Sequence, residues 1–515
     1  DVQSNGPELR ATGRSWAKEL GLDARARARR AAERALELDS LHAGAAAIYG
    51  EIALQLLEDE ELQRARTTLQ RAVTATSDPA ASLVLARVLA QFNDPVGAIA
   101  ASERATRAEP DNPFALHAHA LALFRYPGKE AEGARQYFAA VERASPGFAE
   151  RLFEELRPLA TPADTVRFSR AALDQRKVLM RDFWNVRAAL GGVTVAERLA
   201  EHYRRLAVAL DFYPRLRGGP ARQENVVWEA MTLPIDARGQ LYVRHGAPWK
   251  ISVTPSIGRN SAACRELTTW TGRSRLGATT LGGASGTRLG MPAAEKAGPR
   301  AEVWAYQTEA GMRAFALVRC LDAPDYYLPY TIPCGLEFPP EFEVQSFDIH
   351  SCDADTRERM RDWARSALST ETHSPNISRR IPLNFDLLSF RGRAGTTDLL
   401  APIALLSDSI LSTRTATGQL RYTLALQLAV IDTARQTVTH SADTISFLLA
   451  EPLAKGDRLS RHALVRAAPT DHAFLRLVVR NLEHDNNGAT RTELIRVPAY
   501  AGDTLMVSDL VLGGD

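Results

Sequence analysis

Apolar positions in the first third of the chain recur every three to four residues, in short segments separated by Asp, Ser and Pro, which is the period of amphipathic helices. Ala24–Leu38 reads as one such helix, ending in a Glu37-Leu38-Asp39-Ser40 turn. Paired helices are predicted over about Leu41–Leu57 and Glu60–Thr76, Pro79–Phe92 and Pro95–Ala108, and Pro113–Phe124 and Glu130–Ala144. Helical spacing continues from Pro162 to about Leu216. The period then changes. Asp236–Gly239 reads as a turn, the next residues as a strand with Leu241 and Val243 on one side, and His245–Pro248 as a second turn. Val303–Tyr306 and Arg313–Arg319 alternate as antiparallel strands, Asp353–Ser369 reads as a helix, and Thr370–Ser378 as a polar linker. From about Ile381 everything is β: in Arg421–Asp432, Tyr422, Leu424, Leu426, Leu428 and Val430 share one face, and Phe474–Val479 and Glu493–Val497 repeat the pattern.

The helical third carries a longer period as well. Pro79, Pro113 and Pro146 recur at about 34 residues, with small residues (Ala86, Ala98, Ala105, Ala118, Ala120, Ala139) where paired helices must approach closely. The segment resembles a degenerate tetratricopeptide array. Short strands at the spacing seen after Ile381 suggest an immunoglobulin-like sandwich. The expected fold is therefore multi-domain, α then β: a tetratricopeptide-like α-solenoid over 1–160, a mixed α/β domain over 161–370, and a β-sandwich over 371–515.

Composition narrows the partners. A 45% hydrophobic, 24% charged chain of 515 residues is ordinary globular material, and a net charge of +2 provides no field for nucleic acid or anionic lipid. The basic side is almost all arginine, which would suit phosphate or carboxylate recognition; because the arginines are scattered among acids, the coding bias of a GC-rich genome is the favoured reading. No run of about 18 apolar residues is present, so no transmembrane segment is expected. The start at Asp1 fits either removal of a signal peptide or an ordered part that begins there, and leaves room for a lipid or helical anchor upstream. Cys264, Cys320, Cys334 and Cys352 all fall in one middle stretch, which suggests two disulfides in an oxidising compartment; free thiols, or zinc with His350, are the other readings.

Several stretches together resemble one family: Phe183-Trp184; Glu197–Arg205, reading ERLAEHYRR; Asp236–Pro248, with Asp236, Arg238, Gly239, Leu241–Arg244, Gly246 and Pro248; and Glu302–Tyr306, reading EVWAY. This order is similar to the GWxTD-domain family of exported bacterial proteins, a group without a defined biochemical role. Leu505–Leu510 looks like the family's LxxSDL close. The resemblance runs from about Pro162 onward and implies helical repeats ahead of the domain and a β-sandwich behind it. Where the name-giving pentapeptide should fall, the chain has Thr232-Leu233-Pro234-Ile235-Asp236, keeping only the Asp.

Candidate chemistry is sparse. His202 lacks a second histidine one turn away, so it reads as a packed side chain rather than a metal ligand. The Gly-rich stretch 271–299 lacks both phosphate-loop fingerprints and reads as a long loop. No nucleophile elbow, zinc-protease motif or calcium loop occurs, and no cofactor, metal or catalytic residue is assigned. The best polar cluster is Asp236, Arg238, Arg244 and His245; the best aromatic platform is Tyr326, Tyr327 and Tyr330. The expectation is a non-catalytic scaffold subunit, periplasmic or on the cell surface, holding partner proteins in a membrane-associated complex without nucleic acid. The alternatives are a carbohydrate- or peptide-binding protein using the tyrosines, or a glycan-processing hydrolase with its site near Asp236 and His245.

Overall fold

The computed structural model describes residues 17–56, 59–213, 235–254, 300–308, 311–319, 379–433, 437–484 and 486–500, together with Tyr326, Leu328, Glu358, Asp362, Trp363, Glu371, Ile377 and Asp509. A helical N-terminal region is followed by a β-rich one. The helices are α1 (Ala17–Leu38), α2 (Ala43–Leu56), α3 (Asp59–Thr76), α4 (Pro79–Gln91), α5 (Pro95–Ala108), α6 (Pro113–Phe124), α7 (Glu130–Glu142), α8 (Pro146–Leu156), α9 (Pro162–Arg170), α10 (Leu173–Gly191), α11 (Val195–Phe212) and α12 (Ala237–His245). The chain divides into two compact units: Asp1–Phe153 with Arg170–Arg181 and Val195–Arg204, and Glu154–Ser169 with Asp182–Thr194 and Arg205–Asp515.

Five helices begin with one local device, a polar residue followed by proline. Asp78, Asp94, Asn112, Ser145 and Thr161 precede Pro79, Pro95, Pro113, Pro146 and Pro162. Proline pushes the residue before it to extended backbone, which is what an N-cap needs, and its own missing N–H costs nothing in the first turn. The Asp78 carboxylate accepts from the Ala81 N–H at 2.7 Å, Asp94 from Gly97 at 2.9 Å, and Asn112 from Phe114 at 2.9 Å. Thr161 and Asp164 cap reciprocally, each accepting from the other's N–H. Each cap is worth about 1 kcal/mol.

In the first unit each of α1–α6 packs on the next, and α2–α4 and α4–α6 also touch. Small residues permit this. Ala86, Ala98, Ala105 and Ala120 are buried as expected, whereas Ala118 and Ala139 are half-buried and Ala101 and Ala140 take fully buried places. Leu199, His202 and Tyr203 of α11 are buried together. Tyr203 stacks on Phe124, and His202 is a packed histidine against the Tyr203 ring. Arg204 donates to the Phe124 carbonyl at 2.7 Å and pairs with Glu130.

Among the described residues the second unit holds three sheets. β1 (Lys250–Thr254), β2 (Arg300–Thr308) and β3 (Gly311–Arg319) form an antiparallel sheet in that order. The second sheet runs β10-β9-β12-β13-β4, with β8 also on β9: β4 is Arg379–Arg380, β8 Thr413–Arg414, β9 Leu420–Asp432, β10 Val438–Leu449, β12 Thr470–Asn481 and β13 Asn487–Val497. The third runs β11-β7-β5, with β6 also on β7: β5 is Leu383–Phe385, β6 Leu388–Arg391, β7 Thr397–Leu406 and β11 Arg458–Ala467. Pro402 has no N–H to give to the ladder, and opposite it the neighbouring chain breaks into β5 and β6. Tyr422, Leu424, Leu426, Leu428 and Val430 of β9 meet Leu399, Ile403 and Leu405 of β7 in one core shared by the last two sheets. Asp509 pairs with β6: Ser389 N donates to the Asp509 carboxylate at 2.6 Å and Asp509 N returns a bond to Ser389 O.

The opposite face of β9 is also apolar. Ala429 and Ile431 pack against Val186 and Ala189 of α10. The end of α10 is held there by strand β12: Arg476 Nε donates to Leu190 O at 2.7 Å and Arg480 to Gly192 O at 3.3 Å. Gly192 has φ +63°, and the Val193 N–H bonds back to Ala188 O, closing the helix by a left-handed turn. Two cations on the last carbonyls also suit the negative end of the helix dipole.

Two expectations change. Residues 236–248 are not a turn, a strand and a turn: 237–245 form α12. Thr370–Ser378 is not wholly a loose linker, because Glu371 is nearly buried against Arg187 at 3.1 Å, beside Asp164. The four cysteines, the Gly-rich stretch 271–299, Tyr327 and Tyr330 lie outside the described residues, as does most of 353–369, of which Glu358, Asp362 and Trp363 are helical. Among the described residues no helix is long and apolar enough to cross a membrane.

Candidate functional site

The candidate residues gather around α12 and the inner face of the β1–β3 sheet. Asp236 precedes the helix in extended backbone, and its side chain accepts from the N–H groups of Arg238 (2.9 Å) and Gly239 (3.2 Å). Leu241 then packs with Trp304, Tyr306, Phe315, Leu317, Tyr326 and Leu328. Arg205 from α11 donates to the carbonyls of Val243 and Arg244, so the helix is capped by an acid at one end and a cation at the other.

The nine residues of α12 rise about 13 Å, and this divides the expected cluster. Asp236 and Arg238 lie at the start; Arg244 and His245 lie at the end. Arg244 is buried and donates to Ala160 O at 3.2 Å. His245 is buried between the rings of Phe315 (centroids 5.4 Å) and Tyr306 (5.3 Å). Burial drives the Tyr306 hydroxyl well above its ordinary range, so it stays neutral and donates to Gly246 O at 3.2 Å. A single scissile bond does not reach both Asp236 and His245.

At the start of the helix the structure assembles a different group. Arg238 Nε donates to Asp236 Oδ2 at 2.9 Å, and its other branch stands 3.7 Å from Glu302. Its guanidinium lies over the Tyr326 ring at 4.0 Å and the Tyr213 ring at 5.2 Å. Glu302 accepts from Trp304 Nε1 at 3.0 Å and from the Tyr326 hydroxyl. The Asp236 N–H donates to Tyr213 O, and the Ala237 N–H to Tyr326 O. Tyr326 is thus joined to the polar residues, and it is buried at 3% exposure with a guanidinium over its ring, so it offers no open face. Arg300 and Arg319 complete the group. They stand directly opposite each other across β2 and β3, on the same strand faces as Glu302 and Leu317. Arg319 lies 5.7 Å from the Tyr326 ring centroid.

Sequence reading missed Glu302, Arg300 and Arg319 as site residues. The signal was present: 300 and 302 share a strand face, and Thr308 opposite Gly311 sets a register that brings 319 to 300.

Electrostatics follow burial. Burial pushes the Asp236 carboxyl up to about 6, against the pull of Arg238 and of the bonds it accepts. Burial, then the charge and hydrogen bond of Glu302, push Tyr326 up to about 12. Because Asp236 has a higher pKa folded than unfolded, the folded state binds more protons between about pH 4 and 6. Its contribution to stability therefore falls by about 3 kcal/mol as pH rises through that window, and is flat above it. Asn in place of Asp236 keeps the cap acceptor and removes the titration. Urea unfolding of wild type and Asp236→Asn at pH 4.5 and 7 should give a difference that shifts in favour of the variant at pH 7; an identical pH response in both proteins rules this out.

No family profile matches the chain, and no curated protein does. Among solved structures, the chain is similar in part to a glycosyl hydrolase family 2 member from Bacteroides cellulosilyticus, at 11% identity over 23% of this chain and 15% of that one, with a TM-score of 0.17. It is also similar in part to MHC-like MILL2, at 13% identity over 38% of this chain and 66% of that one, with a TM-score of 0.13. At TM-scores this low neither likeness bears on fold or activity. Among the described residues no cluster of three or more His, Cys, Asp or Glu side chains is arranged to hold a metal ion.

Proposed function

We propose that the protein is a non-catalytic, extracytoplasmic scaffold subunit of the GWxTD-domain family, holding partner proteins in an envelope-associated assembly. In this reading α2–α7 are tetratricopeptide-like hairpins of a solenoid, and the two sheets that share the Tyr422–Val430 core form an immunoglobulin-like sandwich. Cys264, Cys320, Cys334 and Cys352 would form two disulfides suited to that compartment.

The observation that carries the proposal is the surface left by the first unit's packing. The contacts between α2, α4 and α6 bury alanines and leucines. Half-exposed side chains remain on the same three helices: Ile48 and Glu51, then Leu83 with the exposed Arg87, then Leu121 and Arg125. Arg87 pairs with Glu51 across α2 and α4, and Arg125 donates to Ala90 O, so the row is held in place by neighbouring helices. A rigid strip mixing apolar and charged side chains suits an extended peptide or a protein edge.

Mild-detergent extraction from the native cells, size separation and mass spectrometry of what travels with the chain test the reading. Stable comigration with a large membrane complex, lost on Leu83→Asp with Leu121→Asp, is expected. A chain that runs alone in native extracts overturns it.

A further inference from the structure

We propose that Arg300 and Arg319 form a binding site for a phosphate group, at the end of the β2–β3 hairpin beside Tyr326. This goes beyond the scaffold reading and does not depend on it.

The argument begins with an arrangement that costs free energy without an anion. Like charges directly opposite on paired strands destabilise a sheet, and the Arg300–Arg319 register is such a pair. Neither side chain is freely solvated: both residues are only partly exposed, and Arg300 Nε and Arg319 Nη2 are buried atoms without a hydrogen-bond partner. Buried donors are almost always satisfied, so unsatisfied guanidinium nitrogens on two directly opposed residues need an acceptor.

The local carboxylates do not supply it. Asp236 is committed to Arg238 and the start of α12, and Glu302 to Trp304, Tyr326 and Arg238. Among the described residues neither Arg300 nor Arg319 has an ion-pair partner. Arg238 is fixed by its own two acids and by stacking on Tyr326, which keeps a third cation near the same ring. With Arg238, Asp236 and Glu302 counted, the described group carries a net charge of +1, and the Arg300 and Arg319 guanidinium groups have no ion-pair partner of their own among the described residues.

A tetrahedral dianion fits this demand better than a single planar carboxylate. Two guanidinium forks on directly opposed residues of adjacent strands call for an acceptor with oxygens in several directions, and two unpaired guanidinium groups favour an anion with more than one negative charge. A phosphate monoester or inorganic phosphate meets both conditions. Bound there, it would accept from the unsatisfied nitrogens and remove the repulsion between the strands.

The test uses the full chain and sodium phosphate as the probe, with ionic strength held by sodium chloride and sodium acetate as the planar comparison. Calorimetric titration should find one phosphate per chain, and thermal unfolding should show a phosphate-dependent rise in Tm. Arg300→Gln and Arg319→Gln should each weaken binding at least about tenfold, the loss expected for a charge-assisted hydrogen-bonding partner. Without phosphate their Tm should equal or exceed that of wild type, because the repulsion is gone; a merely structural pair would lower Tm with or without the anion. If either glutamine variant fails to fold, Arg300→Lys, which keeps the charge and loses the fork, should still weaken binding. Arg461→Gln, on distant β11, should leave binding unchanged. No phosphate binding, binding no tighter than acetate, or equal binding by wild type and both glutamine variants overturns the proposal; the last outcome means an adventitious ion only. Arg300-dependent retention on phosphatidic acid vesicles, but not on phosphatidylcholine vesicles, would assign the phosphate to a lipid headgroup, and binding of free phosphate without vesicle retention to a soluble ligand.

Discussion

Replacing Asn487 by alanine should destabilise the second unit by about 3–5 kcal/mol, the cost of leaving several buried polar groups unpaired at once. Asn487 is 1% exposed, at the start of β13, and every polar position of its carboxamide is used. Its oxygen accepts from Leu411 N at 3.1 Å and from Asn481 Nδ2 at 2.9 Å. Its nitrogen donates to Arg379 O at 3.1 Å and Ser409 O at 3.0 Å. One side chain thus joins β4, the stretch between β7 and β8, and the β12–β13 hairpin. Asn487→Asp is a sharper test, because it keeps the size and the acceptor but turns a charge toward two carbonyls; it should be at least as damaging as alanine. Urea unfolding gives the free energies, and hydrogen exchange at Leu411 N should accelerate in the alanine variant. A loss below about 1 kcal/mol with unchanged exchange would mean that these bonds are replaced by water at no cost.

Gly192→Ala should cost about 2–5 kcal/mol, from two separate causes. The first is backbone: φ +63° is a conformation that costs a residue with a Cβ about 1–2 kcal/mol. The second is collision, because an added Cβ would stand 2.3 Å from Val478 Cγ1 on β12, and crowding of this kind costs about 1–3 kcal/mol. Gly418 separates the causes. It has φ +82° with nothing within 4 Å of a built Cβ, so Gly418→Ala carries the backbone cost alone. The excess of Gly192→Ala over Gly418→Ala measures how tightly the end of α10 sits on the sheet. If the two variants are equal, the close approach of α10 to β12 is wrong. Val478→Ala in the Gly192→Ala background should recover part of the excess, since it removes the clashing atoms.

Much of this protein was legible wherever a decision is local. The pairs Asp78-Pro79, Asp94-Pro95 and Asn112-Pro113 mark helix starts because proline and a side-chain acceptor act within one turn. The β9 face from Tyr422 to Val430 was readable because strand pleating puts alternate residues on one side whatever lies opposite. The candidate site was legible only in pieces, with Asp236, Arg238 and Tyr326 visible as polar or aromatic positions in separate stretches.

What required the tertiary structure were matters that depend on residues distant in the chain. In Ala237–His245 the apolar positions are too few to separate a period of two from one of 3.6. The helix prevails because Asp236 satisfies its first N–H groups, Arg205 satisfies its last carbonyls, and Leu241 gains a core from β2 and β3. Helix formation then carried Arg244 and His245 away from Asp236 and put Arg238 against Glu302 and Tyr326 instead. Likewise Ala429 and Ile431 look like an ordinary outer strand face until α10 covers them, and Arg476 looks like a surface cation until it meets Leu190 O. The sequence determined which segments are helices and strands where capping and alternation decide alone. Which polar side chains meet, and so where a ligand could bind, was decided only by the packing of helices on sheets, because that packing fixes the distances on which hydrogen bonds and charge pairing depend.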